Sequence, residues 1–290
     1  MRIALHGKAF DYSLKQAIAD ILSLFEKHNA ELIVSQQFLP LLKDANLPSH
    51  YKSYALGNDL EGVDFMFTLG GDGTILDAVT HIGASEIPIV GVNVGRLGYL
   101  ATIRLDQLDY ALRQIKSDNY IIDKRVLLRM DDPDGLFGGV PFALNDFAIL
   151  KSDSSAMITV HTYVDDAFLN SYWADGLIIA TPTGSTGYSL SCGGPLVIPQ
   201  SNNFIINPVS PHNLNVRPMV VSDKSVLKFE INARDENVML TLDSRSVTVP
   251  ASTEVTVRKE EFKAGLVKFE GYHPFETLRQ KLYWGQDARN

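Results

Sequence analysis

The chain has a single cysteine, Cys192, among 290 residues. No disulfide can form within it, and that scarcity reads as a reducing compartment, the cytoplasm. It has no apolar stretch approaching the roughly 18–20 residues that a membrane span needs, so no membrane partner is expected. It has no dense Lys/Arg block either: 26 basic residues stand against 34 acidic ones, for a formal charge of −8. Affinity for a phosphate backbone needs a positive footprint, so nucleic acid is excluded as a partner. Internal repeats and low-complexity tracts are absent. The opening segment, MRIALHGKAF, carries one Arg and a very short apolar run before His6-Gly7, and reads as a first strand rather than a signal peptide. What remains is an ordinary globular profile, 45% hydrophobic and 21% charged, long enough for one large domain or two ordinary ones. An acidic chain that handles anionic substrates must concentrate positive potential locally, through backbone amides or a metal ion.

Two periodicities divide the chain. In the first third, short apolar runs (Ile3–Leu5, Leu32–Val34, Val63–Leu69, Ile87–Val92) alternate with helical spacing at Leu14, Ile18, Ile21, Leu22 and Phe25, at Ile75–His81, and at Leu105, Leu108, Leu112 and Ile115. This alternation predicts an α/β domain with a mostly parallel sheet. From about Lys124 the runs become short and β-rich: Val126–Met130, Pro141–Leu150, Met157–Val164, Leu227–Ile231, Val238–Leu242, Ser246–Val249 and Glu254–Val257. They predict a β-rich, β-sandwich-like C-terminal domain. Helical spacing returns at Phe275, Leu278 and Leu282 within Pro274–Trp284, which is expected to pack back on another domain. The expected divisions are 1–122, 123–270 and 271–290.

The sharpest local feature is Gly70-Gly71-Asp72-Gly73-Thr74, between a buried strand and a helix. Ligands of open α/β sheets sit where strands end and helices begin, and glycines there let backbone amides approach a phosphate. A carboxylate in such a loop repels anions, unless Asp72 holds a metal-bound phosphate or takes a proton from an attacking hydroxyl. A plain strand-to-helix turn is the alternative reading. The chain contains neither GxxxxGK[ST] nor a GxGxxG between strand and helix, so P-loop NTPases and ordinary Rossmann dehydrogenases are not supported. Gly184-Ser185-Thr186-Gly187 is no GxSxG nucleophile elbow. The spacing of Asp131, Asp132 and Asp134 fails the calcium-loop pattern, and Asp77 suits the first turns of a helix. No metal-ligand set is read from the protein itself.

GGDGT resembles the loop shared by NAD kinases, diacylglycerol and sphingosine kinases and, more loosely, phosphofructokinases. Three further segments are similar to the NAD kinase family in particular. Gly91-Val92-Asn93-Val94-Gly95-Arg96-Leu97-Gly98-Tyr99-Leu100 resembles GxNxGxLGFL, and Leu144-Asn145-Asp146 stands where the family shows Asn-Glu. Ala174-Asp175-Gly176 running to Thr181-Pro182-Thr183-Gly184-Ser185-Thr186-Gly187-Tyr188-Ser189 is similar to the ADG…TPTGSTAY signature, with Gly187 for Ala. Gly193-Gly194-Pro195 and Pro211-His212 follow in the family's order.

The resemblance implies an enzyme that moves the γ-phosphoryl group of ATP, with Mg²⁺ or another divalent cation, to the adenosine-ribose 2′-hydroxyl of NAD. It assigns Gly70, Gly71, Gly73 and Thr74 to phosphate binding and Asp72 to proton abstraction. Asn145 and Asp146 would hold the ribose, and Asp175 a polar group at the far end of NAD. Thr183, Ser185, Thr186, Gly187 and Tyr188 would form a polar edge, with His212 lining the site. For the Asn145-Asp146 pair an Asx-turn at a strand end is the alternative, for Asp175 an Asp-Gly hairpin turn, and for His212 a structural histidine. The family shares its sites between subunits, so a homodimer or homotetramer is expected. A lipid kinase with the same loop, or a dinucleotide sensor without turnover, are the rival readings.

Overall fold

The computed structural model describes residues 1–55, 60–95, 98–152 and 156–283. Arg96, Leu97 and Trp284, named above, lie outside them. Two compact units emerge: residues 1–124 with 264–290, and residues 125–263.

The first unit alternates strand and helix from its start. β1 (Arg2–Gly7), α1 (Lys15–Lys27), β2 (Glu31–Ser35), α2 (Leu39–Asp44), β3 (Lys52–Tyr54) and β4 (Phe65–Leu69) are followed by α3 (Asp72–Ile82) and β5 (Ile89–Asn93). β6 (Ile103–Arg104) and α4 (Leu108–Lys116) complete the alternation. The sheet is parallel throughout, in the order β3-β2-β1-β4-β5, with β6 also parallel to β5. Parallel strands covered on both faces must be apolar along their length, which is why β4 and β5 are buried at every position. α1 turns Ile18, Ile21, Leu22 and Phe25 inward, and Phe25 meets Phe67 of β4 edge to face, with centroids 5.1 Å apart. Gly83 caps α3 with φ at 50°.

The second unit is antiparallel. β7 (Ile121–Asp132) enters it, followed by β8 (Phe142–Ala143), β9 (Asp146–Lys151), β10 (Ile158–Val164), β11 (Ala167–Ala174), β12 (Gly176–Ala180) and the short helix α5 (Tyr188–Ser191). β13 (Asn203–Val209), β14 (Met219–Ser222), β15 (Leu227–Asn232), β16 (Asn237–Leu242), β17 (Arg245–Pro250) and β18 (Val255–Lys268) follow. One sheet runs β14-β13-β12-β9-β16-β17; the other contains β11-β10-β15-β18, with β7 on β18 and β8. Phe147, Ile149, Leu177 and Leu240 of the first sheet share a core with Leu128, Val160, Phe229 and Val257 of the second, so the unit is a β-sandwich. β12 is buried on both faces, since Ile178 and Ala180 enter a second cluster with Ala148 and Ile205.

Two differences from the sequence reading have physical causes. The run Pro141–Leu150 is two strands, because Leu144 and Asn145 leave the ladder to bond a side chain. β18 continues eleven residues beyond Val257, and from Ala264 it belongs to the first unit, with Leu266 parallel to Ile89 of β5. Periodicity within one segment carries no sign of such a distant partner. α6 (Pro274–Leu282) follows in that first unit, with His273 capping it by accepting from the Phe275 amide at 3.3 Å.

Phe67 is fully buried at the centre of the parallel sheet's core. Phe67→Ala is expected to destabilise the first unit by about 3–5 kcal/mol, read as a lower urea midpoint by circular dichroism.

Candidate active site

The glycine loop forms where β4 ends. Gly70 donates its amide to the Val92 carbonyl of β5 at 3.0 Å. Gly71 then caps α3 in extended conformation without a side-chain cap, and Asp72 opens the helix, where a negative charge complements the dipole. Thr74 returns its amide to the Gly71 carbonyl at 3.0 Å. The Asp72 carboxylate is already engaged. Oδ1 accepts from the amides of Leu100 and Ala101 at 2.9 and 3.0 Å, and Oδ2 from that of Tyr99 at 2.7 Å. Glycine at 98 permits this approach, because a Cβ there would lie 1.9 Å from Oδ1. One carboxylate therefore joins the GGDGT loop to the Gly91–Leu100 stretch. A carboxylate has about four lone-pair sites, so one remains for a hydroxyl.

Lys8 escaped the sequence reading. It follows β1, and Gly7 and Leu69 are ladder partners, so parallel pairing sets Lys8 beside the glycine loop. Its Nζ pairs with Asp77 of α3 at 2.7 Å and lies 3.8 Å from the position of a Cβ on Gly73. Burial would raise the Asp77 carboxyl, but His6 and Lys8 together hold it below the ordinary range. His6 Nε2 is 3.9 Å away, beyond hydrogen-bond distance, so Lys8 makes the closer contact.

In the second unit two segments converge on Asn145-Asp146. Asp243, in the turn between β16 and β17, accepts from the amides of Leu144, Asn145 and Asp146 at 2.9, 2.8 and 3.1 Å. Its own amide donates to the Asp146 carbonyl at 3.0 Å. From the other side, the Thr181 amide donates to the Asn145 carbonyl at 2.8 Å and the Thr181 hydroxyl to the Leu144 carbonyl at 2.6 Å. Gly184 presses against the pair, for a Cβ there would stand 2.0 Å from the Asn145 carbonyl oxygen. At Gly187 a Cβ would lie 3.3 Å from the Gly184 oxygen, 3.6 Å from Asn145 Nδ2 and 3.7 Å from Asp146 Oδ2. Both side chains of the pair thus face the turn of the long signature.

Burial first, and then the charge of Asp243, push the Asp146 carboxyl from 3.8 up to about 7. Through that window the folded protein binds a proton that the unfolded chain has lost, so this group's contribution to stability falls as pH rises. Burial also raises Asp243, against the downward pull of the three amides and Arg245.

The hydroxyls of the signature are occupied locally. Thr183 is buried and accepts from Arg125 Nη1 at 3.3 Å. Ser185, fully buried, donates to the Pro182 carbonyl at 2.7 Å and accepts from the Val197 amide at 3.1 Å. Thr186 donates to the Thr183 carbonyl at 3.2 Å. Tyr188 is half-exposed, and its phenol is raised by burial, then by Cys192, Asp146 and Asp175. Asp175 lies toward the other end of β12, since Ala180 pairs with Asp146 but Gly176 with Leu150, at about 3.3 Å of strand per residue. It pairs with Lys151 at 2.7 Å. His212 keeps to that end as well, stacked on Trp173 with centroids 4.1 Å apart. Among the described residues, no group of three or more His, Cys, Asp or Glu is placed to hold a metal ion.

A glycine loop carrying a carboxylate at the end of a parallel strand, followed by a β-sandwich presenting an amide–carboxyl pair, defines a kinase of the GGDGT class. Residues 25–120 match the ATP-NAD kinase N-terminal domain and residues 144–269 the ATP-NAD kinase C-terminal domain. The NAD kinase of Cytophaga hutchinsonii is 47% identical and that of Christiangramia forsetii 40%, each with both chains covered in full. The yeast NADH kinase complexed with NADH shares the fold at a TM-score of 0.86 and 23% identity, over 100% of this chain and 89% of that one. An NAD kinase from Archaeoglobus fulgidus in complex with ATP aligns at a TM-score of 0.78 and 26% identity, over 98% and 99% of the two chains. The chain belongs to the NAD kinase family.

The two glycines of the signature should respond differently to a methyl group. Gly184→Ala must displace the backbone of Asn145 and is expected to lower kcat/KM for NAD at least about tenfold, the scale of a lost hydrogen bond to a charged group. Gly187→Ala needs shifts of a few tenths of an ångström and should stay within about threefold of wild type, well under 1 kcal/mol. Steady-state kinetics of the two variants side by side decides this; equal defects would contradict the contact geometry.

Proposed function

We propose that the protein transfers the γ-phosphoryl group of ATP to the adenosine-ribose 2′-hydroxyl of NAD, giving NADP. The observation that carries the choice of acceptor is the Asn145-Asp146 pair, locked between Asp243 and the Thr181–Gly187 turn. An ionised carboxylate accepts from adjacent ribose hydroxyls, and the neighbouring amide reads an adenine edge or a phosphate. Asp175, Tyr188 and His212 are assigned to the remainder of the dinucleotide, in a homodimer or homotetramer in the cytoplasm.

The glycine loop takes the phosphates of ATP through the amides of Gly71 and Gly73, at the positive end of α3. Lys8 adds a compact cation beside it. Phosphoryl transfer asks a protein mainly for alignment and charge neutralisation. A divalent cation fits this chemistry as a companion of the nucleotide, because magnesium typically keeps water and phosphate ligands and needs only one or two carboxylates. When bound it neutralises charge on the transferring phosphoryl group. Asp72 has one acceptor site left for the attacking hydroxyl. A carboxylate is a weak base toward an alcohol, so the proton moves in concert with attack. The direct test incubates purified protein with ATP, Mg²⁺ and NAD and reads NADP through a coupled dehydrogenase.

Two outcomes are specific to this assignment. Asp72→Asn should lower kcat by at least about 10²-fold, the low end of general-base effects, while most NAD binding survives. Turnover within a few fold of wild type would remove Asp72 from the reaction. Excess EDTA should abolish transfer from ATP, and activity persisting after full chelation would mean that the protein alone neutralises the triphosphate.

A further inference from the structure

Asp243 belongs to none of the motifs that mark the site, yet its carboxylate is bonded to the backbone of the pair at the site's centre. Its turn is held at φ 52°, a left-handed conformation that Asp and Asn tolerate better than most residues. From there one carboxylate satisfies the three consecutive amides of Leu144, Asn145 and Asp146. These amides stand at the break between β8 and β9, and buried amides left unpaired are costly. The amide of Asp243 completes the clasp on the Asp146 carbonyl. No neutral side chain does the same. An asparagine has one acceptor oxygen, and its NH₂ would oppose an amide N–H.

We propose that Asp243 is a positioning residue for NAD, holding the backbone from which Asn145 and Asp146 reach the ribose and setting a second carboxylate behind Asp146. This rests on the reading of Asn145-Asp146 as the ribose-binding pair. The groups facing Asp146 are few. Asp243 approaches from the β16–β17 turn, Tyr188 from α5 and Cys192 from just beyond its end. Arg245 of β17 acts on Asp243, and its guanidinium donates to the carbonyls of Val140 and Phe142. Burial first, and then the charge of Asp243, raise Asp146 toward neutrality. Below about 7 the Asp146 carboxyl carries a proton in the free protein, and a protonated carboxyl has lost acceptor capacity toward ribose hydroxyls. Capture of NAD therefore weakens on acidification. Without the charge of Asp243, that weakening should begin at lower pH.

The experiment is steady-state kinetics of Asp243→Asn, Asp243→Glu and Asp146→Asn from acid to neutral pH, varying NAD and ATP in turn, with circular dichroism to verify folding. Asp243→Asn is expected to raise KM for NAD about tenfold or more, with KM for ATP nearly unchanged. The acid limb of kcat/KM for NAD should move to lower pH. Asp243→Glu keeps the charge but shifts it by one methylene, so KM for NAD should rise while the acid limb stays in place. If Asp146→Asn impairs NAD capture but folded Asp243→Asn keeps both the wild-type KM and the wild-type acid limb, the positioning role is wrong. Should Asp243→Asn not fold, a wild-type KM for NAD in Asp243→Glu overturns it equally. A silent Asp146→Asn would instead strike the ribose reading itself, and this inference with it.

Discussion

Backbone amides that leave a ladder must find another acceptor, and in this protein an aspartate supplies it at both places where chemistry is assigned. Asp72 takes the amides of Tyr99, Leu100 and Ala101, and Asp243 those of Leu144, Asn145 and Asp146. Each carboxylate gathers three consecutive N–H groups, which costs little conformational freedom per bond once the first is made. Charge-assisted bonds of this kind are about twice as strong as neutral ones. They give irregular backbone the definition that a helix or a strand has by itself. The two clasps differ in their accompaniment. Asp72 stands at a helix N-terminus with glycine at 98 giving it room, whereas Asp243 has a second carboxyl, Asp146, beside it.

Strand register then decides what each clasp presents. In the parallel sheet the ends of β1, β4 and β5 lie together, so Lys8, the glycine loop and the Asn93 turn open at one edge. Asn93 Oδ1 accepts from the Gly95 amide at 2.8 Å, repeating on a small scale the use of a side chain to hold backbone. In the sandwich, β12 is buried on both faces and pairs with β9 and β13. Its ends are the places where polar side chains can reach solvent. Asp146 and the Thr181–Gly187 turn share one end, while Asp175 and Lys151 share the other.

The parallel α/β half was legible where its strands carry apolar runs and its helices turn every third or fourth residue inward; Ile18, Ile21, Leu22 and Phe25 alone define a face, whereas β3, Lys-Ser-Tyr with two exposed residues, left no apolar run to read. The antiparallel half was legible in outline, but not in its joints. The run from Pro141 to Leu150 looks like one strand because most of its residues are apolar, yet it breaks at Leu144-Asn145. The cause is Asp243, about a hundred residues away. β18 was seen only as far as Val257, because its later partners, β7 and, at Leu266, β5, are distant in the sequence.

Local sequence determined the elements, the glycine loop and the choice of family, since each depends on neighbouring residues: strand and helix period, glycine where backbone must approach a ligand, hydroxyls crowded into one turn. Tertiary structure alone decided that Lys8 stands beside Gly73, that Asp77 is paired with it, and that Asp243 underlies Asn145-Asp146. It also decided the proton affinity of Asp146, whose carboxyl is raised by burial and by a charge supplied from a distant turn. Hydrogen bonds and electrostatic fields act through space. A lone Asp between Leu242 and Ser244 carries no trace of the amides it will bind until the chain has folded around it.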